Sequence, residues 1–95
     1  MEVKFKEWLC NVEKHKYSNG RLALRLTDIE DGSPIATATI NIPEYPLGEG
    51  FVIVKDYSEN EGMLDALTKA GIVQHTGGTI TSGYITAPIC IYTGD

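Results

Sequence analysis

Along Arg21-Leu22-Ala23-Leu24-Arg25-Leu26-Thr27 an apolar side chain recurs at every second position, which puts Leu22, Leu24 and Leu26 on one face of an extended strand. Residues 35–42 repeat the pattern, with Ala36, Ala38, Ile40 and Ile42 on one face and Thr37, Thr39 and Asn41 on the other. Between these segments lies Glu30-Asp31-Gly32-Ser33-Pro34, whose Asp-Gly pair supplies the positive φ of a hairpin turn. Ser18-Asn19-Gly20 has the same turn chemistry and joins a strand over residues 7–16 to the Arg21 strand. The alternation slips between Phe5 and Trp8, so a bulge or a separate short strand is expected there. The pattern predicts three antiparallel strands in a meander.

The second half reads differently. Residues 43–50 hold two prolines and two glycines and are expected to form a loop. Phe51-Val52-Ile53-Val54-Lys55 is a short apolar run, the signature of a buried strand. A helix over about residues 59–70 follows. Its start has capping-box spacing, with Ser58 accepting from the first turn and Glu61 reaching back. Met63, Leu64, Leu67 and Ala70 form its apolar stripe, and Gly71 sits where a left-handed terminating residue belongs. Gly77-Gly78 reads as another turn, and residues 84–92 as a final strand in which Pro88 argues for an edge or bulged position. The expected architecture is α+β in a single domain over residues 1–95: one antiparallel sheet of five or six strands with a single α-helix packed on one face.

Composition sharpens this picture. Val, Ile and Thr make up 24 of the 95 residues, which favours strands because branched side chains suit a pleated surface. No apolar run approaches the roughly 20 residues of a membrane span. The alternating start of the chain has no signal-peptide core, so a cytoplasmic setting is expected. Cys10 and Cys90 are the only cysteines, and with His15 and His75 they are too scattered for a zinc site; both are expected as free, buried thiols.

Charge is unevenly spread. Residues 1–25 carry six basic and three acidic side chains, residues 26–95 two basic and ten acidic, and the whole chain has net charge −5. That balance disfavours nonspecific nucleic-acid binding, which needs Lys and Arg against phosphate; the basic group Lys14, Lys16, Arg21 and Arg25 surrounds one turn. The densest acidic stretch is Asp56-Tyr57-Ser58-Glu59-Asn60-Glu61, where acids also suit the first turn of a helix. Its carboxylates lack EF-hand spacing, and no metal or cofactor is expected. No nucleophile elbow, P-loop or dinucleotide fingerprint occurs.

At Asn19-Gly20-Arg21-Leu22-Ala23-Leu24, at Val54-Lys55-Asp56-Tyr57-Ser58-Glu59-Asn60-Glu61-Gly62-Met63-Leu64 and at Ala70-Gly71-Ile72-Val73 the chain resembles a family of small uncharacterised proteins. These carry a domain of unknown function and are encoded on conjugative elements and phages of gut bacteria. The resemblance spans residues 19–73. It implies a mobile genetic element, with no activity attached, and by analogy a role in blocking a host defence protein such as a CRISPR effector or restriction enzyme.

The expected function is therefore that of a non-enzymatic protein-binding module whose partner is a host or element-encoded protein. Its expected surface comprises Asp56, Tyr57, Glu59, Asn60 and Glu61, with Tyr45 and Glu49 from the preceding loop. Two other classes stay open. One is a small-molecule-binding or hydrolytic protein using the junction near Asp56 with His75; the other is a structural subunit that self-associates through an edge strand.

Overall fold

The computed structural model describes residues 1–94. Eight strands run in the order β1 (Glu2–Phe5), β2 (Trp8–Lys16), β3 (Leu22–Asp28), β4 (Pro34–Thr37), β5 (Thr39–Ile40), β6 (Phe51–Val54), β7 (Val73–Ser82) and β8 (Ile85–Tyr92), with one helix, α1 (Met63–Lys69), between β6 and β7. The α+β class holds, but there are two antiparallel sheets of four strands, ordered β1-β2-β3-β4 and β5-β6-β8-β7, where a single sheet of five or six strands was expected.

Three local events account for the difference. First, the slip after Phe5 is a tight turn, with Lys6 at φ 55 and Phe5 paired with Trp8, so β1 is a separate strand. Second, the alternating segment 35–42 changes sheets. Its first half pairs with β3 and its second half with β6; Ala38, fully buried between them, donates its N–H to Leu24 O (2.8 Å) and accepts from Lys55 N (2.8 Å). Third, Gly77-Gly78 is a bulge inside one long strand, where the β7–β8 register shifts between His75 and Thr79. The turn that reverses the chain is Gly83-Tyr84, with Gly83 at φ 61 in the first central position of a type II′ hairpin. Strand β8 therefore lies inside its sheet, so of the edge or bulged position that Pro88 suggested it is the bulge that is found, opposite Pro88 in β7. Pairing with β6 stops at Ile53–Ile89, one residue before Pro88 would have to donate.

The main core lies between the sheets. Val3, Phe5, Cys10, Val12, Leu24 and Leu26 meet Val52, Val54, Val73 and Cys90, with Met63 and Leu67 of α1 packed among them. A second cluster, Ile42, Ile53, Ile80, Ala87 and Ile89, covers the opposite face of the β6–β8 sheet beneath Tyr45 and Leu47. Burial on both faces explains why residues 51–54 read as a continuous apolar run.

The helix is shorter than its periodicity suggested. Gly62 takes φ 96 and breaks the segment, leaving Ser58–Asn60 as a separate 3₁₀ turn before α1. The C-terminal end follows the expectation: Gly71 is left-handed at φ 75, and Ile72 donates to Leu67 O (3.0 Å), closing the helix.

Candidate functional site

The junction between β6 and α1 is built largely for the fold. Asp56, half-buried, accepts the Leu64 N–H on Oδ1 at 2.8 Å and so caps α1. The capping box fails: Ser58 sits at φ 55 with no side-chain cap bond, and Glu61 is exposed without reaching back. A side-chain cap of this kind is worth about 1 kcal/mol, and Asp56 supplies it in place of Ser58. Asn60 is 2% exposed, and its Nδ2 donates to Thr37 O at 2.7 Å, tying the 3₁₀ turn to β4. An amide so enclosed cannot contact a partner, which removes Asn60 from the expected surface.

Tyr57 and Glu59 remain at the surface, and Lys55 answers both. The Lys55 ammonium lies 5.6 Å from the Tyr57 ring centroid and donates to the Glu59 carboxylate four residues on. That hydrogen bond holds the Glu59 carboxyl below its ordinary range and raises the Lys55 ammonium. Lys6 adds a second cation, donating to Glu59 O at 2.7 Å. The acidic stretch is thus partly neutralised.

Tyr45 and Glu49 lie elsewhere. Arg21, which sequence reasoning grouped with the basic hairpin, donates to Ile42 O (2.8 Å), Pro43 O (3.5 Å) and Tyr45 O, holding the 42–45 loop over the second apolar cluster. Tyr45 lines a depression of about 420 Å³ with Pro46, Thr79 and Ile80. Glu49 lines another of about 520 Å³ with Lys16, Arg21 and Phe51. Glu61 lines a third, about 690 Å³, between β1 and α1. Tyr45, Glu49 and Glu61 therefore line three different depressions.

Cys90 links the junction to the strand that carries His75, but His75 makes no contact with Asp56. His75 is paired across the ladder with Cys90, and the Asp56 charge is close enough to act on that thiol. Burial, with Asp56 adding to it, pushes the Cys90 thiol up to about 11, and the side chain is fully enclosed. At neutral pH it is a protonated core thiol, unsuited to nucleophilic attack. His75 is exposed and turns its Nε2 to Gly78 O at 3.3 Å inside the bulge. Cys10 is likewise free and buried, its thiol raised by burial and then by Asp28. Among the described residues no group of three or more His, Cys, Asp and Glu converges to hold a metal ion, and no helix is long and apolar enough to cross a membrane.

What sequence reasoning missed is the opposite of a charged patch. From Ala70 to Gly94 the chain has no Asp, Glu, Lys or Arg, and this stretch forms the β7–β8 hairpin. Strand β7 stands at the edge of its sheet, and Tyr84 at the hairpin tip is fully exposed, at 108%. Thr79, Thr81 and Thr86 line its outer part, all exposed. The signal was present in the sequence as an uninterrupted uncharged run. Comparison of the chain with protein-family models, with curated proteins and with solved structures finds no match.

Proposed function

We propose that this chain is a non-enzymatic protein-binding module that works through the uncharged β7–β8 hairpin, with Tyr84 as its anchor. The observation that carries the reading is the full exposure of Tyr84 at the tip of a hairpin without charged residues. Core regions of protein interfaces are depleted of charge and enriched in tyrosine, which brings large apolar area, few torsions and one polar tip. The mobile-element setting, and a host defence protein as the partner, enter the proposal from the resemblance over residues 19–73.

The test is capture from a bacterial host lysate by wild type, Tyr84→Ala and Glu59→Lys, with circular dichroism as the fold control. A specific partner held by wild type and by Glu59→Lys, and lost by folded Tyr84→Ala, is the expected result. A partner lost by Glu59→Lys and kept by Tyr84→Ala would return the site to the acidic junction.

A further inference from the structure

We infer that the trough between the β7 edge and the 42–46 loop takes an extended segment of a partner protein, added to β7 as a strand, with a lysine or arginine side chain on Glu44. This rests on the reading of the β7–β8 hairpin as a contact surface and names the chemistry of what docks beside it. In the order β5-β6-β8-β7, β7 is bonded to β8 alone. The Gly83-Tyr84 turn closes on the pair Ser82–Ile85, and the ladder continues through Thr81–Thr86, Ile80–Ala87 and Thr79–Pro88. In such a hairpin the closing pair exchanges its hydrogen bonds, so by alternation Thr81 and Thr79 turn their N–H and C=O groups to the open side. Pro88, which has no N–H to exchange, stands opposite Thr79, as that alternation requires. Among the described residues no backbone hydrogen bond from another element reaches Thr79 or Thr81. Natural edges are guarded against pairing by lysine, proline or inward charge. None of these stands on β7, whose one protective feature is the Gly77-Gly78 bulge. The bulge leaves Thr79–Ser82 as a regular segment beyond it.

The residues beside the edge select the occupant. Residues 42–46 and Thr79–Ser82 together line the depression of about 420 Å³. Ile42, Tyr45, Pro46 and Ile80 give it apolar surface, Ser82 a hydroxyl and Glu44 a carboxylate. An open row of backbone groups is matched by another strand, whose main chain supplies affinity and whose alternate side chains reach the adjoining pocket. Glu44 is exposed, is the one charged side chain lining the depression, and enters no ion pair among the described residues. Arg21 holds the same loop through the carbonyls of Ile42, Pro43 and Tyr45 but does not line the depression. A carboxylate so placed, on a chain of net charge −5, attracts a cationic segment and repels an acidic one. The same charge disfavours a second copy of this chain.

The test is titration of the isotope-labelled full chain, followed through its amide NMR signals. The probe is an extended peptide of about seven residues, alternating valine and threonine around one central arginine. The amides of Thr79, Thr81, Glu44 and Tyr45 should shift. A probe with glutamate in place of the arginine should bind about fivefold or more weakly, and Glu44→Lys should reverse that preference. Methylating one alternate set of the probe's backbone nitrogens should abolish binding and methylating the other set should spare it, with the protein untouched in both cases. Tyr84→Ala should bind the probe like wild type, so failure of this inference and failure of the Tyr84 reading appear in different measurements. Equal affinity for the arginine and glutamate probes, shifts confined to another part of the molecule, or indifference to methylation overturns the inference. Thr79 and Thr81 signals that move on dilution of the chain alone assign the edge to a second copy and equally overturn it.

Discussion

The β2–β3 and β7–β8 hairpins have similar lengths and opposite characters. The first is central in its sheet, holds one register from Cys10–Asp28 to Lys16–Leu22, and carries Glu13, Lys14, Lys16, Arg21 and Arg25. The second has an edge strand, a broken register at Gly77-Gly78 and no charged residue. Charge thus decorates the hairpin whose backbone is already covered and is missing from the one whose backbone is open. If charge served only to protect strand edges, the distribution would be reversed. A stretch of backbone left both unpaired and uncharged is what a strand-pairing surface requires.

The sharpest test of the contrast compares one core leucine with one isoleucine. Leu24→Ala removes a fully buried side chain from between the sheets and should cost about 3–4 kcal/mol. Ile80→Ala, at 8% exposure in the smaller cluster, should cost about 2 kcal/mol because that edge relaxes more easily. Urea denaturation of both variants checks this, and equal losses would mean that the edge hairpin is as firmly packed as the central one. Next in size are the glycines. Gly20, in the β2–β3 turn, and Gly77, in the bulge, sit at φ 85 and φ 91 with open space around the Cβ position, so only backbone strain opposes alanine. Each substitution should cost about 1 kcal/mol; an unchanged midpoint for Gly77→Ala would mean that the bulge is optional and no guard of the edge.

A pH-dependent effect concerns the two thiols, one in each hairpin. Burial raises Cys90 from 9.0 to about 11, so folding favours its neutral form. The stabilising contribution is complete below about pH 9 and is lost as pH climbs toward 11, where the unfolded thiol ionises first. Denaturation midpoints across that window should fall less steeply for Cys90→Ala than for Cys10→Ala, whose thiol is also raised. Identical slopes would place the two thiols in equivalent surroundings.

How much could be read in advance depended on the range of the interaction. The Asn19-Gly20 turn, the strands beside it and the Gly71 stop are set by neighbours within a few residues, and the structure reproduces them. Gly77-Gly78 has the composition of a turn, yet it becomes a bulge because Thr79–Ser82 continue the ladder with β8. Ser58 and Asp56 are both competent caps; the left-handed Gly62 detaches Ser58 from α1 and leaves the role to Asp56. Asn60 is polar and sits in an acidic run, but the Thr37 carbonyl draws its amide inward from 23 positions away. Of the expected surface, Asp56 and Asn60 hold the fold, whereas Glu49, Glu59 and Glu61 are exposed. The hairpin was legible only as an absence of charge, which counting over a long acidic segment conceals.

Ala38 gives the molecule its mechanical character. One residue, enclosed on every side, is bonded through its N–H to one sheet and through its carbonyl to the chain leaving the other. A load applied to one sheet therefore reaches the other through covalent chain and two hydrogen bonds that meet at this residue. On the function proposed above, a partner of Tyr84 would meet the hairpin on a body whose two sheets are joined through the bonds of one buried residue.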